Sequence, residues 1–225
     1  MSNSQNELSK NYSAKPDGYW DTPRPEMLPF VPIECRRILE VGCGAGTFGQ
    51  QLKERCSEVE VWGIEPDSQS ADAAEKVLDR VIRGVFRPAM RELSDEKFDC
   101  IVFNDVLEHM ADPDEALLAS RQHLTTDGVV IASIPNILYF PTFYMIIKTQ
   151  DWRYEDKGIL DNTHLRFFTR KSIERLFKDT GYDVVRIGGI NRYTYWKFNL
   201  LNFFLLNKIN DFRYGQFAIV AKITS

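Results

Sequence analysis

The chain has 225 residues, 44% hydrophobic and 27% charged, with a net charge of −4. That length supports one sizeable core and leaves little for a second full domain. The acidic balance offers no basic field to a phosphate backbone, so nucleic acid is a disfavoured partner.

No stretch reaches the ~18 apolar residues of a membrane-spanning helix. The polar segment from Met1 to Lys15 has no apolar signal core, so a cytoplasmic location is expected. Cys35, Cys43, Cys56 and Cys100 lack ligand-like spacing and read as reduced, packed thiols. Residues 1–11 are polar and read as a frayed tail. Tyr12, Tyr19, Trp20, Met27, Leu28 and Phe30 follow, interrupted by Pro23, Pro25, Pro29 and Pro32, which allow a short helix at most. Residues 1–34 are therefore taken as a tail and flap across the site, and residues 35–225 as one domain. Arg24 is a candidate for binding an acid group, or a surface arginine beside an aromatic anchor.

Ile38, Leu39 and Val41 suit a buried strand, and Gly42, Gly44 and Gly46 then let the chain turn tightly before a helix with Phe48 and Leu52 inside. Strand, glycine loop and helix form the site-building corner of an α/β sheet. Glu40 sits inside the strand end, where a carboxylate is costly without a partner. A second strand at 58–64 ends in Glu65, placed to accept bonds from two ribose hydroxyls. That spacing also fits a dinucleotide oxidoreductase. A helix is expected over 68–78 and a short third strand at Val81 and Ile82.

Phe98 to Phe103 reads as a doubly covered parallel strand, followed by Asn104-Asp105-Val106-Leu107-Glu108-His109. A helix begins at Pro113, with His123 near its end expected to be structural. Asp127-Gly128 reads as a turn, and Val129 to Ile134 as the fifth strand, with Asn136 at its tip facing the pocket. Residues 137–168 are long for a connection and are expected to form a cap. Thr169 is the N-cap of a further helix that ends at Gly181. Tyr182 to Ile187 and Phe212 to Ile223 are the last strands.

Glu40-Val41-Gly42-Cys43-Gly44-Ala45-Gly46 resembles the first motif of class I methyltransferases that use S-adenosylmethionine. Phe98 to His109 and Leu124 to Asn136 resemble the ubiquinone-biosynthesis type. Asp161 to Thr169 is similar to a methyltransferase-23-like subgroup found with sugar and polysaccharide genes. The resemblance implies a doubly wound, mostly parallel seven-stranded Rossmann-like α/β sheet with helices on both faces and the last strand antiparallel. It implies cofactor contacts from Glu40, Gly42, Cys43, Gly44, Gly46, Glu65, Pro66, Asn104 and Asp105. Relatives often place an Asp after the third strand to meet adenine. Here Phe86 or Met90 stands near that position, and Phe86 is taken as the contact.

If the acceptor is a hydroxyl, a base must take its proton, and His164 and His109 are the candidates. Arg24, Asn136 and Arg166 are the candidate acceptor contacts. No metal is expected, since Asp105 and Asn136 make a poor cluster. The expected reaction is methylation of a small molecule or glycan, with a sugar hydroxyl favoured. A binding protein without turnover, or nitrogen or carbon methylation, stays open. The apolar stretches 137–147 and 196–206 read as core or as the contact of a homodimer, ahead of a membrane surface; a monomer is equally consistent.

Overall fold

The computed structural model describes residues 22–224, so Tyr12, Tyr19 and Trp20 of the expected flap lie outside the described residues. Seven strands form one sheet in the order β3-β2-β1-β4-β5-β7-β6. They are β1 (Arg37–Val41), β2 (Glu60–Glu65), β3 (Arg80–Arg83), β4 (Phe98–Asn104), β5 (Leu124–Pro135), β6 (Tyr182–Arg192) and β7 (Tyr214–Ile223). β7 runs antiparallel to both β5 and β6, and the other pairings are parallel. The expected doubly wound sheet is therefore present.

The alternation of side chains along the central strands divides the core into two layers. Leu39, Val41, Ile101, Phe103 and Val130 face one side and pack with α3 (Pro113–Arg121) and α5 (Arg170–Asp179). Ile38, Cys100, Val102 and Ile131 face the other and pack with α1 (Thr47–Arg55) and with Met27 and Phe30 of a 3-10 turn. Central β4 is covered on both faces, which explains its nearly unbroken apolar sequence.

Helix starts follow local chemistry. Asp67 accepts a bond from the Ser70 amide ahead of α2 (Ser68–Ala74), and Asp112 accepts one from Glu115 ahead of Pro113. Thr169 caps α5, as the sequence indicated, and the structure adds a reciprocal capping box with Ser172. Boundaries moved elsewhere. The expected turn at Asp127-Gly128 is a bulge inside a longer β5, because pairing jumps from Phe98–Leu124 to Cys100–Val129. α2 stops at Ala74, four residues short of Leu78, and β6 runs five residues past Ile187 to Arg192.

After β5 the chain makes α4 (Phe140–Thr149) and an irregular return; after β6 it makes α6 (Trp196–Phe204). Neighbouring β1 and β4 mark the point where strand order reverses, and the crevice beyond their carboxyl ends is where such sheets bind ligands.

Phe177 lies on α5, fully buried against Tyr182 and away from that crevice. Phe177→Ala is expected to lower the free energy of unfolding by about 3–5 kcal/mol. A urea titration reads this as an earlier midpoint.

Candidate active site

A cleft of about 1450 Å³ opens at the carboxyl ends of β1, β2 and β4. This exceeds the roughly 300–1,000 Å³ of a typical pocket for one small molecule. It has room for a cofactor and an acceptor together.

One wall is the glycine loop. Gly42 has φ +69°, and a Cβ there would meet Val106 Cγ2 at 2.6 Å. The amides of Gly42 and Cys43 both bond the Ile64 carbonyl, at 2.8 and 3.2 Å, which ties the loop to β2. Glu65, at the end of β2, accepts the Gly44 amide on one oxygen and the Asp67 amide on the other, each at 2.9 Å. Burial raises its pKa, against the effect of those two amides. Each oxygen keeps a second lone pair. A carboxylate aimed in this way suits a vicinal diol.

Glu40 is 2% exposed. Asn104 Nδ2 donates to one of its oxygens at 3.3 Å, while Glu40 Oε2 and Asn104 Oδ1 have no hydrogen-bond partner among the described residues. Burial pushes the Glu40 carboxyl up to about 8. Two orphaned acceptors on residues lining a cleft fit a cationic amino group.

Across the cleft, Asp105 adopts a left-handed φ of 54°. Non-glycine residues held there cost on the order of 1 kcal/mol and cluster at functional sites. Asp105 pairs with Arg24 and accepts bonds from Ser133 Oγ at 3.0 Å and Gln216 Nε2 at 2.7 Å. Arg24 also donates to Gln216 at 2.9 Å and Ser133 at 3.2 Å. The 3-10 turn next to Arg24 is thereby stitched to β4, β5 and β7.

The third wall comes from the segment after β4 and from residues 157–164. His109 Nδ1 lies 3.2 Å from the Thr163 carbonyl, and His164 Nδ1 lies 2.9 Å from the Ile159 carbonyl. A carbonyl can only accept, so each Nδ1 carries a proton, and a neutral ring then has its basic lone pair on Nε2. The rings meet edge to face, with centroids 4.7 Å apart. Behind them Glu108 is 1% exposed, with His164 Nε2 3.9 Å from its Oε1. Neither Glu108 side-chain oxygen has a hydrogen-bond partner among the described residues, and burial pushes the carboxyl up to about 8. The Glu108 carbonyl accepts the amides of Leu165 and Arg166, which docks the 161–168 segment onto the end of β4.

Nine of the ten expected cofactor residues line this one cleft. Gly46 is the exception: it starts α1, and a Cβ there would meet Val77 Cγ2 at 2.7 Å, so its smallness serves packing. Met90 is in the core, and Phe86 alone of that pair faces the cleft. His109, His164 and Arg24 also line it. Asn136 and Arg166 do not. Asn136 is fully buried and spends its amide on the Asp211 and Tyr214 carbonyls and the Leu138 amide. Arg166 is exposed and clamps the Ala111 carbonyl. His123 is buried beside the Glu96 carbonyl, a structural role.

Sequence reading passed over Gln216, a polar residue two places into an otherwise apolar run from Gly215 to Ala221 and hence a legible signal. It also gave Glu108 no part in the site. Glu108, His109 and His164 offer three ligand atoms within 4.8 Å of one another, a set that a divalent ion could use; the expectation of no metal was argued from Asp105 and Asn136 and did not weigh these three.

The raised Glu40 pKa has a signed consequence. The folded chain holds this proton up to about pH 8 and the unfolded chain releases it near 4.5. Stability therefore falls as pH rises through that window, by up to about 1.4 kcal/mol per unit. Glu40→Gln is expected to flatten that slope in urea titrations between pH of about 5 and about 8; an unaltered slope contradicts the assignment.

Comparison with known proteins agrees with this geometry. Residues 11–187 match the family described as a methyltransferase domain. A ubiquinone biosynthesis O-methyltransferase of Cereibacter sphaeroides is 28% identical over 176 residues, covering 76% of this chain and 70% of that protein. An uncharacterized methyltransferase of Schizosaccharomyces pombe is 30% identical over 203 residues, covering 70% and 73%. The crystal structure of a SAM dependent methyltransferase from Archaeoglobus fulgidus superposes with a TM-score of 0.65 at 18% identity, covering 88% of this chain and 91% of that one. The chain belongs to the methyltransferase domain family and is an S-adenosylmethionine-dependent methyltransferase.

Proposed function

We propose that the acceptor atom is a hydroxyl oxygen and that His109 takes its proton. The observation that carries this reading is the His109–His164–Glu108 cluster, which shares a cleft with Glu40 and Glu65. The bound cofactor supplies an electrophilic methyl group on sulfur, open to in-line displacement. Glu65 and Phe86 hold its nucleoside end, and Glu40, Asn104, Asp105 and the Gly42–Gly44 loop surround its amino-acid end, with Cys43 and Pro66 shaping the wall. His109 is half-buried at the cleft and orients the acceptor oxygen while drawing off its proton. His164, more deeply buried, buttresses His109 through their edge-to-face contact. Glu108 lies behind His164, its Oε1 3.9 Å from His164 Nε2, and backs that ring where it supports His109.

Arg24 is proposed to contribute through Asp105, holding that residue in its left-handed turn. A free anionic acceptor would have to compete with Asp105 for it. For the acceptor class, the relatives named for ubiquinone biosynthesis favour a phenolic or enolic hydroxyl. A sugar or polysaccharide-precursor hydroxyl rests on the resemblance of residues 161–169 alone. Nitrogen or carbon methylation, or binding without turnover, has no observation in the cleft that favours it.

The test is a methyl-transfer assay with labelled S-adenosylmethionine against catechols, hydroquinones and nucleotide-sugars. A hydroxyl acceptor should be methylated, and His109→Ala should lower kcat by about 10²–10⁴-fold with cofactor affinity kept. Methylation at nitrogen or carbon, or full activity of His109→Ala, refutes the assignment.

A further inference from the structure

α6 is apolar on nearly every face: only Lys197, Asn199 and Asn202 interrupt its nine residues. Such a helix is normally enclosed by protein or lipid. Here only Phe198 and Asn202 are buried. Trp196 is 63% exposed, Phe203 68%, Phe204 71% and the following Leu206 79%. The neighbouring α4 has no buried residue, and its Phe140 packs on Phe198 with ring centroids 4.9 Å apart. The two helices thus present one continuous apolar face.

The charges around this face differ from those of the whole chain. Residues 192–213 contain Arg192, Lys197, Lys208 and Arg213 against Asp211, a net +3 in a chain of net −4. Asp211 is paired with Arg170, from outside the segment. Arg192, Lys197 and Lys208 are exposed and make no ion pair among the described residues. Lys197 lies over the rings of Tyr195 and Trp196, at 6.0 and 5.6 Å from their centroids. A folded-back copy of the same chain would bring these cations against their own kind. Aromatic rings, leucines and unpaired lysines on one surface match the interfacial zone of an anionic bilayer.

We infer that α6, flanked by α4, docks the enzyme on an anionic membrane surface. The face is joined to the active site. Tyr139 lines the cleft, its ring meets Tyr193 at 6.0 Å, and Tyr193 meets Phe198 at 6.2 Å. Docking through α6 therefore brings the Tyr139 side of the cleft close to the lipid headgroups.

The test is co-sedimentation with vesicles of phosphatidylcholine and phosphatidylglycerol in equal parts, beside vesicles of phosphatidylcholine alone. The protein should pellet with the mixed vesicles and be released by salt. Phe203→Ser with Phe204→Ser, and separately Lys197→Glu with Lys208→Glu, should each weaken binding about tenfold or more. Melting temperature and S-adenosylmethionine affinity should stay unchanged, so a failure here is separable from a failure of the methyltransferase reading. Wild-type protein that stays in the supernatant overturns the inference. So does a wild-type dimer in light scattering that the Phe203/Phe204 variant converts to monomer, or undiminished binding by both variants.

Discussion

Three carboxyl groups, Glu40, Glu65 and Glu108, are held at the carboxyl edge of the sheet with almost no access to water. Burial dominates the shift of each, and all three are pushed upward. Leaving such groups short of partners opposes folding. The surrounding architecture limits that cost without removing it: backbone amides serve Glu65, one amide nitrogen serves Glu40, and Glu108 has a histidine at ion-pair range. What is left over is acceptor capacity pointed at a cleft. A cation with hydroxyl and amino donors can use that capacity, and S-adenosylmethionine is such a molecule.

The same constraint accounts for the rest of the design. Parallel strands deliver their ends to one edge, so carboxylates far apart in sequence converge there. The left-handed turn at Asp105 bends the chain after β4 and is held by Ser133, Gln216 and Arg24. The segment after β5 returns across the edge and leans on the Glu108 backbone, bringing His164 against His109. The glycine-loop half of the cleft is thus built by the sheet, and the histidine half by the two segments that leave β4 and β5.

That the glycine loop and Glu65 share one cleft was legible in the sequence because its signals are local. A glycine-rich turn after an apolar strand, and an acid at the end of the next strand, each carry their meaning within a few residues. The histidine side of the cleft depends on tertiary folding. Asn136 and Arg166 have the right chemistry at promising positions, yet both are spent on backbone carbonyls. Glu108 looked like a loop residue until the return of 161–168 enclosed it. The surface character of α6 was hidden for a similar reason, since an apolar run reads alike whether it is packed or exposed.

Calorimetric titration with S-adenosylmethionine, with NAD as the control ligand, tests the central claim most directly. The account predicts micromolar binding of S-adenosylmethionine, its loss in folded Glu65→Ala, and no binding of NAD. Folded wild-type protein that fails to bind S-adenosylmethionine, or a Glu65→Ala variant that binds it with full affinity, would contradict the account.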